Sequence, residues 1–366
     1  MEAHQKLPFA ERHIEALACQ TCHVPNLKAP ALRSTDHTVV TANGGPRMEF
    51  RGVDEVEGTN PNTWFVKGYR PFLGREQKDG RSYFAPYNLV SRWDWVVGPE
   101  GNPVDDALLL AAWKQKDGTY HPEILSALDA NEDGALSDDE LVLDTDAKTE
   151  FIRQRLVALG AENPRIAGDI DVHPVRHGVT HGVWVASDCD SCHARNSRFN
   201  EPIALGAGPF PGGVLPQLSG ETASLLDHRS LLVVDGRLQV SGDGDSKDTY
   251  VLGHTRRSWS DTVGFSLFLL VFLALLGHGV LRYLGFRKRN HAQHSVPMKR
   301  VYMYGAYERV WHWTMAASIV LLLITGLQIH YPDTFDFIDF RAAVWVHNLM
   351  AVIMILNAML SLFYHV

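Results

Sequence analysis

The chain lacks an excess of basic residues, since 34 Lys and Arg stand against 42 Asp and Glu among its 366 residues. The net charge of −8 excludes a typical nucleic-acid binder, which carries clustered cations on one face. The sequence also lacks a P-loop and a dinucleotide-binding fingerprint, so we expect no nucleotide cofactor. With 45% hydrophobic and 21% charged residues, its composition excludes a disordered or collagen-like chain.

Charged residues are scarce in three apolar runs, which cover residues 263–284, 310–329 and 342–366. The first run is interrupted only by His278 and Arg282, and the other two contain no Lys, Arg, Asp or Glu. About 20 apolar residues span the roughly 30 Å hydrocarbon core of a bilayer. We therefore predict three transmembrane helices within a membrane domain at residues 259–366. Buried core helices of a soluble protein are the alternative.

The two loops between these runs differ in charge. The second loop carries Asp333, Asp336 and Asp339, whereas the first carries basic residues at positions 287–289, 299, 300 and 309. By the positive-inside rule the first loop is cytoplasmic. We therefore expect a multi-pass protein of the bacterial inner membrane, with residues 1–258 on the periplasmic side.

All four cysteines belong to two copies of the motif Cys-x-x-Cys-His, the attachment motif of c-type haem. Two thiols at this spacing reach the two vinyl groups of one haem, and the adjacent imidazole binds its iron. A redox dithiol and a zinc ribbon are the alternatives, but zinc ribbons place their cysteine pairs only about 15–20 residues apart. We predict two covalent haems c, bound by Cys19, Cys22, His23, Cys189, Cys192 and His193.

Haem c is attached outside the cytoplasm, which agrees with the orientation derived from the loop charges. The N-terminal sequence MEAHQKLPFAERH nevertheless shows no basic segment followed by an apolar stretch, so no secretory signal is visible. At the other end, the third apolar run stops without a charged flank. These features predict that the chain is part of a longer protein.

Each haem c iron needs a sixth ligand if it is coordinated by two histidines. The sequence does not pair the candidates outside the motifs, which are His13, His173, His177, His181, His228 and His254. Three of them recur at every fourth residue of DVHPVRHGVTHGVWVAS. Because proline, glycine and β-branched residues interrupt this segment, we predict a haem-packing loop there rather than a helix.

Residues 129–140 (DANEDGALSDDE) match the EF-hand calcium loop at every fixed position. The flanking segments HPEILSAL and DAKTEFIRQRLVALG have helical spacing of apolar residues. Because no second loop of this kind follows, we predict a structural Ca²⁺ site rather than a sensor, with a solvated acidic loop as the alternative. Its ligands would be Asp129, Asn131, Asp133, the carbonyl of Ala135, Ser137 and bidentate Glu140.

Histidines inside a membrane span indicate function by default. His312 and His330 lie 18 residues apart in the second run, as do His347 and His365 in the third, which is about 27 Å along a helix. Two b haems could therefore lie in opposite leaflets, bound by His312 with His365 and by His330 with His347. We favour His312 and His347 with partners on a further helix, because His330 lies at a helix end.

His278 is another candidate ligand, since Gly277 and Gly279 would let a macrocycle approach the backbone. Its alternative role is helix packing.

Four segments of the membrane domain carry a family resemblance: residues 307–313 (YERVWHW), LLLITGLQIHYP, residues 346–352 (VHNLMAV) and residues 357–365 (NAMLSLFYH). They resemble the first two helices of the di-haem cytochrome b family of formate dehydrogenase gamma and thiosulfate reductase subunits. The resemblance implies up to two haems b, one ligand of the cytoplasmic haem at His312 and one of the outer haem at His347. In that family the other two ligands lie on a fourth helix.

The upstream part has a second resemblance, carried by residues 12–23 (RHIEALACQTCH), the acidic loop, and His177-Gly-Val with residues 189–193 (CDSCH). These segments resemble the carboxyl-terminal part of multihaem cytochromes related to octahaem tetrathionate reductase. That family has more haem motifs than the two present here, which again implies a longer protein.

We thus predict a multidomain protein, with a mostly irregular and α-helical, haem-packed domain at residues 1–258 before the membrane domain. Its expected function is respiratory electron transfer between membrane quinone or quinol, b haems, extracytoplasmic c haems and other redox proteins. The alternative is a multihaem reductase that acts directly on a sulfur or nitrogen oxyanion such as tetrathionate. Catalysis of that kind needs an open iron position, and the abundance of His favours saturated irons.

Overall fold

The computed structural model describes residues 4, 7, 9–54, 65–78, 80–186, 188–194, 196–218, 220–226, 229–242, 258–289, 305–332, 334–335 and 337–365. The chain divides into two compact units, one of residues 11–192 with 196–246 and one of residues 247–366 with 1–10 and 193–195. Two predicted haem ligands, His228 and His254, lie outside the described residues. The domain boundary predicted after residue 258 stays a prediction.

A six-stranded sheet forms the centre of the larger unit, in the order β2-β1-β6-β5, with β7 and β8 also paired to β6. Strand β6 is antiparallel to β5, β7 and β8 and parallel to β1. The strands of this sheet are β1 (Ala31–Asp36), β2 (Arg47–Arg51), β5 (Phe72–Lys78), β6 (Arg81–Val97), β7 (Asn102–Pro103) and β8 (Arg165–Pro174).

This sheet shows that the prediction of a mostly irregular and α-helical upstream domain is wrong, because the unit is mixed α and β. Strand β6 runs for 17 residues, and its residues 85–91 are buried without interruption. A strand buried on both faces does not show the alternation of polar and apolar residues that identifies a strand from sequence. The sequence pattern therefore concealed the central strand.

The described residues also form two smaller sheets. Strands β9 (Ile203–Ala207), β10 (Leu231–Val234) and β11 (Arg237–Val240) form an antiparallel sheet of order β10-β11-β9. Strands β3 (Val53–Asp54) and β4 (Phe65–Val66) form an antiparallel pair.

Seven short α-helices are present among the described residues before residue 247. They are α1 (Ala10–Ala16), α2 (Cys19–His23), α3 (Asp106–Trp113), α4 (Pro122–Leu128), α5 (Asp146–Ala158), α6 (Asp190–His193) and α7 (Gly220–Leu226). Helices α4 and α5 confirm the helices predicted on either side of the acidic loop. Helices α3 to α5 pack around Trp113, Ile152 and Leu156, which are fully buried together with Trp95 of β6.

The described residues of the second unit form three long helices, α8 (Ser258–Arg289), α9 (Ala306–His330) and α10 (Phe340–His365). Each covers one of the predicted apolar runs. Two stretches, Ala306–His330 and Phe340–Tyr364, are long and apolar enough to cross a membrane. The third span, on α8, stays a prediction.

Helices α9 and α10 form a hairpin that is closed at both ends by hydrogen bonds. At one end, Trp311 Nε1 donates to Asn357 O and Asn357 Nδ2 donates to Trp311 O, both at 3.1 Å. At the other end, the buried amide of Gln328 donates to Ile338 O and accepts from Ile338 N. These polar groups are satisfied within the hairpin, as a hydrocarbon environment requires.

Candidate haem sites

The first Cys-x-x-Cys-His motif forms the short helix α2, which is attached to the central strand β6. The amide of Ala18 and the hydroxyl of Thr21 both donate to Phe84 O, at 2.8 and 2.9 Å. Thr21 is fully buried, whereas Cys19 is exposed and Cys22 half-buried. Burial raises the pKa of the Cys22 thiol above its ordinary value. The motif therefore turns its buried polar side to the sheet and leaves Cys19 accessible for covalent attachment.

The orientation of His23 is set by Thr180, which lies in the segment after β8. The amide and the hydroxyl of Thr180 donate to His23 O at 2.7 and 2.9 Å. His23 Nδ1 lies 2.9 Å from Thr180 O, and since a carbonyl oxygen can only accept, the ring nitrogen donates. A histidine that donates through Nδ1 is in the tautomer that binds a metal through Nε2.

The ring of His181 lies beside His23, with 6.2 Å between the two ring centroids. Metal–nitrogen bonds are about 2 Å long, so two imidazoles on opposite sides of one ion have centroids roughly 6 Å apart. The separation in the structure therefore fits an iron bound between His23 and His181.

Exposed apolar side chains follow His181 directly. Val183 is 91% exposed and Trp184 62%, and the Lys28 ammonium lies 4.5 Å from the centre of the Trp184 ring. Large apolar residues exposed side by side mark a binding surface. Their position beside His23 and His181 fits the apolar macrocycle of a haem.

The other candidate sixth ligands that the structure describes are placed differently. His13 lies half-buried on α1, His173 lies exposed on β8 opposite Asn88, and His177 lies exposed four residues before His181. Residues 171–174 of the predicted loop belong to β8, whereas residues 175–181 contain no regular helix, as predicted. That this segment packs against a haem stays a prediction. Sequence spacing could not select His181, because its proximity to His23 depends on contacts between distant parts of the chain.

The second motif forms helix α6, which Asp188 initiates. Asp188 Oδ1 accepts from the amide of Asp190 at 3.0 Å, and the Ser191 hydroxyl donates to Asp188 O at 2.8 Å. Cys189, Cys192 and His193 of this motif are all half-buried. Helix α6 begins one residue after Cys189, so this single turn carries Cys192 and His193, whereas α2 includes both cysteines of the first motif.

The two cysteine pairs lie close to each other in the larger unit. The charge of the Cys192 thiolate adds to burial in raising the pKa of Cys22. Arg198 joins the two motifs, because its amide donates to Ser191 O at 2.9 Å and its Nη1 donates to Thr21 O at 2.6 Å.

The acidic loop at residues 129–140 has the conformation expected of its glycine and its carboxylates. Gly134 has a φ of 82°, which glycine adopts without strain. Asp129 Oδ2 accepts from the amide of Gly134 at 2.8 Å, and Asp133 Oδ1 accepts from the amide of Ala135 at 2.8 Å. Asn131 Oδ1 accepts from the amide of Asp133 at 2.9 Å.

Glu140 closes this loop from its last position. Its Oε1 accepts from the amide of Ala130 at 2.9 Å, and its Oε2 accepts from the Ser137 amide and hydroxyl at 3.0 and 2.8 Å. These hydrogen bonds, the Ser137 amide first, lower the pKa of Glu140 to about 2. Among the described residues, no three His, Cys, Asp or Glu side chains are gathered closely enough to bind a metal. Calcium therefore stays a prediction.

His347 of the second unit is held at the contact between α9 and α10. Thr325 Oγ1 donates to Leu321 O at 2.7 Å and lies 2.9 Å from His347 Nδ1. Because the hydroxyl proton is engaged, the hydroxyl oxygen accepts from Nδ1, which leaves Nε2 for a metal. A Cβ atom on Gly326 would lie 3.4 Å from His347 Cε1, so the two helices are in direct contact here.

The other membrane histidines lie at different levels. His312 is exposed and follows Trp311, whereas Thr325, which contacts His347, lies 13 residues further along α9, about 20 Å along the helix axis. His330 is the last residue of α9, as expected of an interfacial residue. His278 is exposed on α8, and His365 ends α10 with its side chain outside the described part.

Comparison with known families identifies this second unit more closely. Residues 303–365 match the family model of prokaryotic cytochrome b561. The C-terminal segment is similar to a membrane cytochrome b. The match and the two membrane-length helices support an integral membrane protein with haem b that functions in membrane electron transfer. The finer resemblance to formate dehydrogenase gamma and thiosulfate reductase subunits stays a prediction.

A search of solved structures found the crystal structure of octaheme cytochrome c from Shewanella oneidensis, at 13% sequence identity and a TM-score of 0.26. The match covers 51% of this chain and 45% of that chain, so it spans less than half of the octaheme protein. No match was found among curated proteins.

Proposed function

We propose that this protein transfers electrons between a membrane quinone or quinol and extracytoplasmic c haems by way of b haems in its membrane helices. The observation that supports the proposal is the 6.2 Å separation between the ring of His181 and the ring of His23, the histidine of a Cys-x-x-Cys-His motif. An iron between these two imidazoles is coordinatively saturated. A saturated iron exchanges single electrons but does not bind a substrate.

Each residue of the first site would have a different role in binding one haem c. Cys19 and Cys22 would form the two thioether bonds, His23 and His181 would bind the iron, and Thr180 would orient His23 through Nδ1. The bound haem supplies one-electron redox chemistry. The protein supplies the ligands that set the spin state and potential of the iron.

A second haem c would be attached at Cys189, Cys192 and His193. The hydrogen bonds of Arg198 to both motifs support a short separation of the two haems. Direct reduction of a sulfur or nitrogen oxyanion would instead need an iron with an open position, so the proposed coordination by His181 disfavours that alternative for the first haem.

In the membrane unit, His312 and His347 would each bind a different b haem. The levels of these two residues are about 20 Å apart along α9, which supports one haem near each face of the bilayer. Because α9 and α10 are in direct contact at His347, a macrocycle does not fit between them. This favours partner ligands on another helix over the pairs of His330 with His347 and His312 with His365.

The orientation of the protein and its calcium site belong to the same proposal. The basic residues before α9 support a cytoplasmic loop there, with residues 1–258 in the periplasm and α8 as a further span.

The acidic loop would bind Ca²⁺ as a structural ion, since weak sites of this class are used outside the cell.

The test is covalent haem counting in protein produced with the haem c attachment machinery. Cys19→Ala with Cys22→Ala, and separately Cys189→Ala with Cys192→Ala, should each remove one haem from the denatured chain. The control is Ser191→Ala, which leaves both cysteine pairs intact and should keep two haems. Covalent haem in a variant that lacks all four cysteines would refute the assignment.

A further inference from the structure

Arg198 is buried at the place where the two cysteine motifs meet. It is only 6% exposed, its amide binds the carbonyl of Ser191 in the second motif, and its Nη1 binds the carbonyl of Thr21 in the first. The remaining donors, Nε and Nη2, are buried and have no hydrogen-bond partner among the described residues. Arg198 therefore contacts both motifs, the second through its main chain and the first through its guanidinium, and two of its three guanidinium nitrogens are unused.

The positive charge of Arg198 is poorly neutralised by the residues that the structure describes. Arginine stays protonated in proteins, and burial without a counter-charge is unfavourable. The carboxylate that acts on it, Glu201, is on the surface and lies 3.1 Å from Arg70 in an ion pair. The nearby thiols of Cys22 and Cys192 lose their acidity when they become thioethers, so they cannot provide the missing negative charge.

We propose that Arg198 is a positioning residue that fixes the spacing of the two c haems and, through its uncompensated charge, raises the reduction potential of both. The inference rests on the proposed attachment of one haem at each motif. An electron that arrives on either iron lowers the positive charge beside a buried cation, which stabilises the reduced state. The guanidinium binds Thr21 O of the first motif and interacts electrostatically with Cys192 of the second, so its charge acts on both haems.

The size of the effect follows from Coulomb's law. A unit charge about 10 Å from an iron, at an effective dielectric constant of about 20, changes the ratio of reduced to oxidised haem roughly tenfold. For a one-electron couple, a tenfold change corresponds to about 59 mV.

The experiment compares variants that differ in charge but retain a donor for Thr21 O. Arg198→Gln removes the charge, and Arg198→Lys keeps it. The potentials are measured by optical redox titration of the c haems in the full chain. Arg198→Gln should lower both reduction potentials by about 59 mV, which corresponds to a tenfold smaller ratio of reduced to oxidised haem at a given potential. Arg198→Lys should leave both potentials nearly unchanged. Arg198→Met, which is also neutral, serves as a second test should the Gln variant not fold.

Arg155→Gln is the matched control, because Arg155 Nε also donates to a backbone carbonyl, Ala112 O at 2.7 Å, but within the α3–α5 cluster. It should leave both c-haem potentials unchanged. Unchanged potentials in the neutral Arg198 variants would overturn the inference. Equal decreases of the potentials in Arg198→Gln and Arg198→Lys would also overturn it, because the charge would then not be the cause. Absence of covalent haem from the unmodified chain would instead refute the proposed function.

Discussion

Thr180 and His23 are joined by three hydrogen bonds, although 157 positions separate them in the chain. Two of the bonds fix the main chain of His23, and the third fixes its ring through Nδ1. This relationship also determines the position of the next residue, His181, whose ring lies beside that of His23. The environment of the first candidate iron is therefore created by the segment that follows β8.

Replacement of the proposed sixth ligand tests this geometry. His181→Ala should leave the first haem c covalently attached but convert its iron from low spin to high spin, since one axial position becomes open. Optical and electron paramagnetic resonance spectra report the change. His177→Ala is the control, because His177 is exposed in the same segment, and it should keep the low-spin spectrum. A low-spin first haem in the His181 variant would show that another residue is the ligand.

The hydroxyl of Thr325 provides a similar test in the membrane unit. Thr325→Val removes the acceptor for His347 Nδ1, and loss of such a partner typically weakens metal binding or activity 10- to 100-fold. We expect lower occupancy or an altered potential for one b haem in membranes that contain the full-length protein, measured by redox titration. Ser318→Ala removes a hydroxyl on the same helix that donates to Thr314 O at 2.8 Å. A b-haem change of equal size in this control would argue against a role for Thr325 at His347.

Calcium binding by the acidic loop should be visible in thermal stability. A ligand that binds only the folded state raises the melting temperature by mass action. We expect calcium to stabilise the detergent-solubilised chain, followed by fluorescence of the buried Trp113 cluster, which includes Leu136 of the loop. Glu140→Gln should abolish the calcium response. Glu150→Gln, an exposed carboxylate paired with Arg153, should retain it, and a full response in the Glu140 variant would mean that the loop binds no calcium.

The lowered pKa of Glu140 predicts that the unfolding free energy of the calcium-free protein decreases in acid. The folded-state pKa of Glu140 is about 2, below the ordinary value of 4.5. A group whose pKa is lowered by folding contributes stability that is present above its unfolded-state pKa and is lost as the pH falls through the folded-state value. The unfolding free energy should therefore decline between about pH 4.5 and pH 2, and less steeply in Glu140→Gln. An identical slope in both proteins would contradict the hydrogen bonding seen around Glu140.

Several features could be predicted because they depend only on neighbouring residues. Cys19, Cys22 and His23 are close neighbours along the chain, so the haem motif can be recognised from the sequence before the fold is known. The apolar runs of α9 and α10 are set by bilayer thickness, and the helices beside the acidic loop follow from their own periodicity. In each of these cases the residues that act together lie within one or two helical turns or one continuous run.

The features that the sequence could not determine depend on contacts between residues that are far apart in the chain. The central strand β6 is buried on both faces, so its pattern does not distinguish it from other apolar segments. The proximity of His181 to His23, and the burial of Arg198 beside Thr21 and Ser191, arise only when distant parts of the chain meet. Such contacts depend on the packing of the whole unit rather than on local propensity, and only the tertiary structure fixes them.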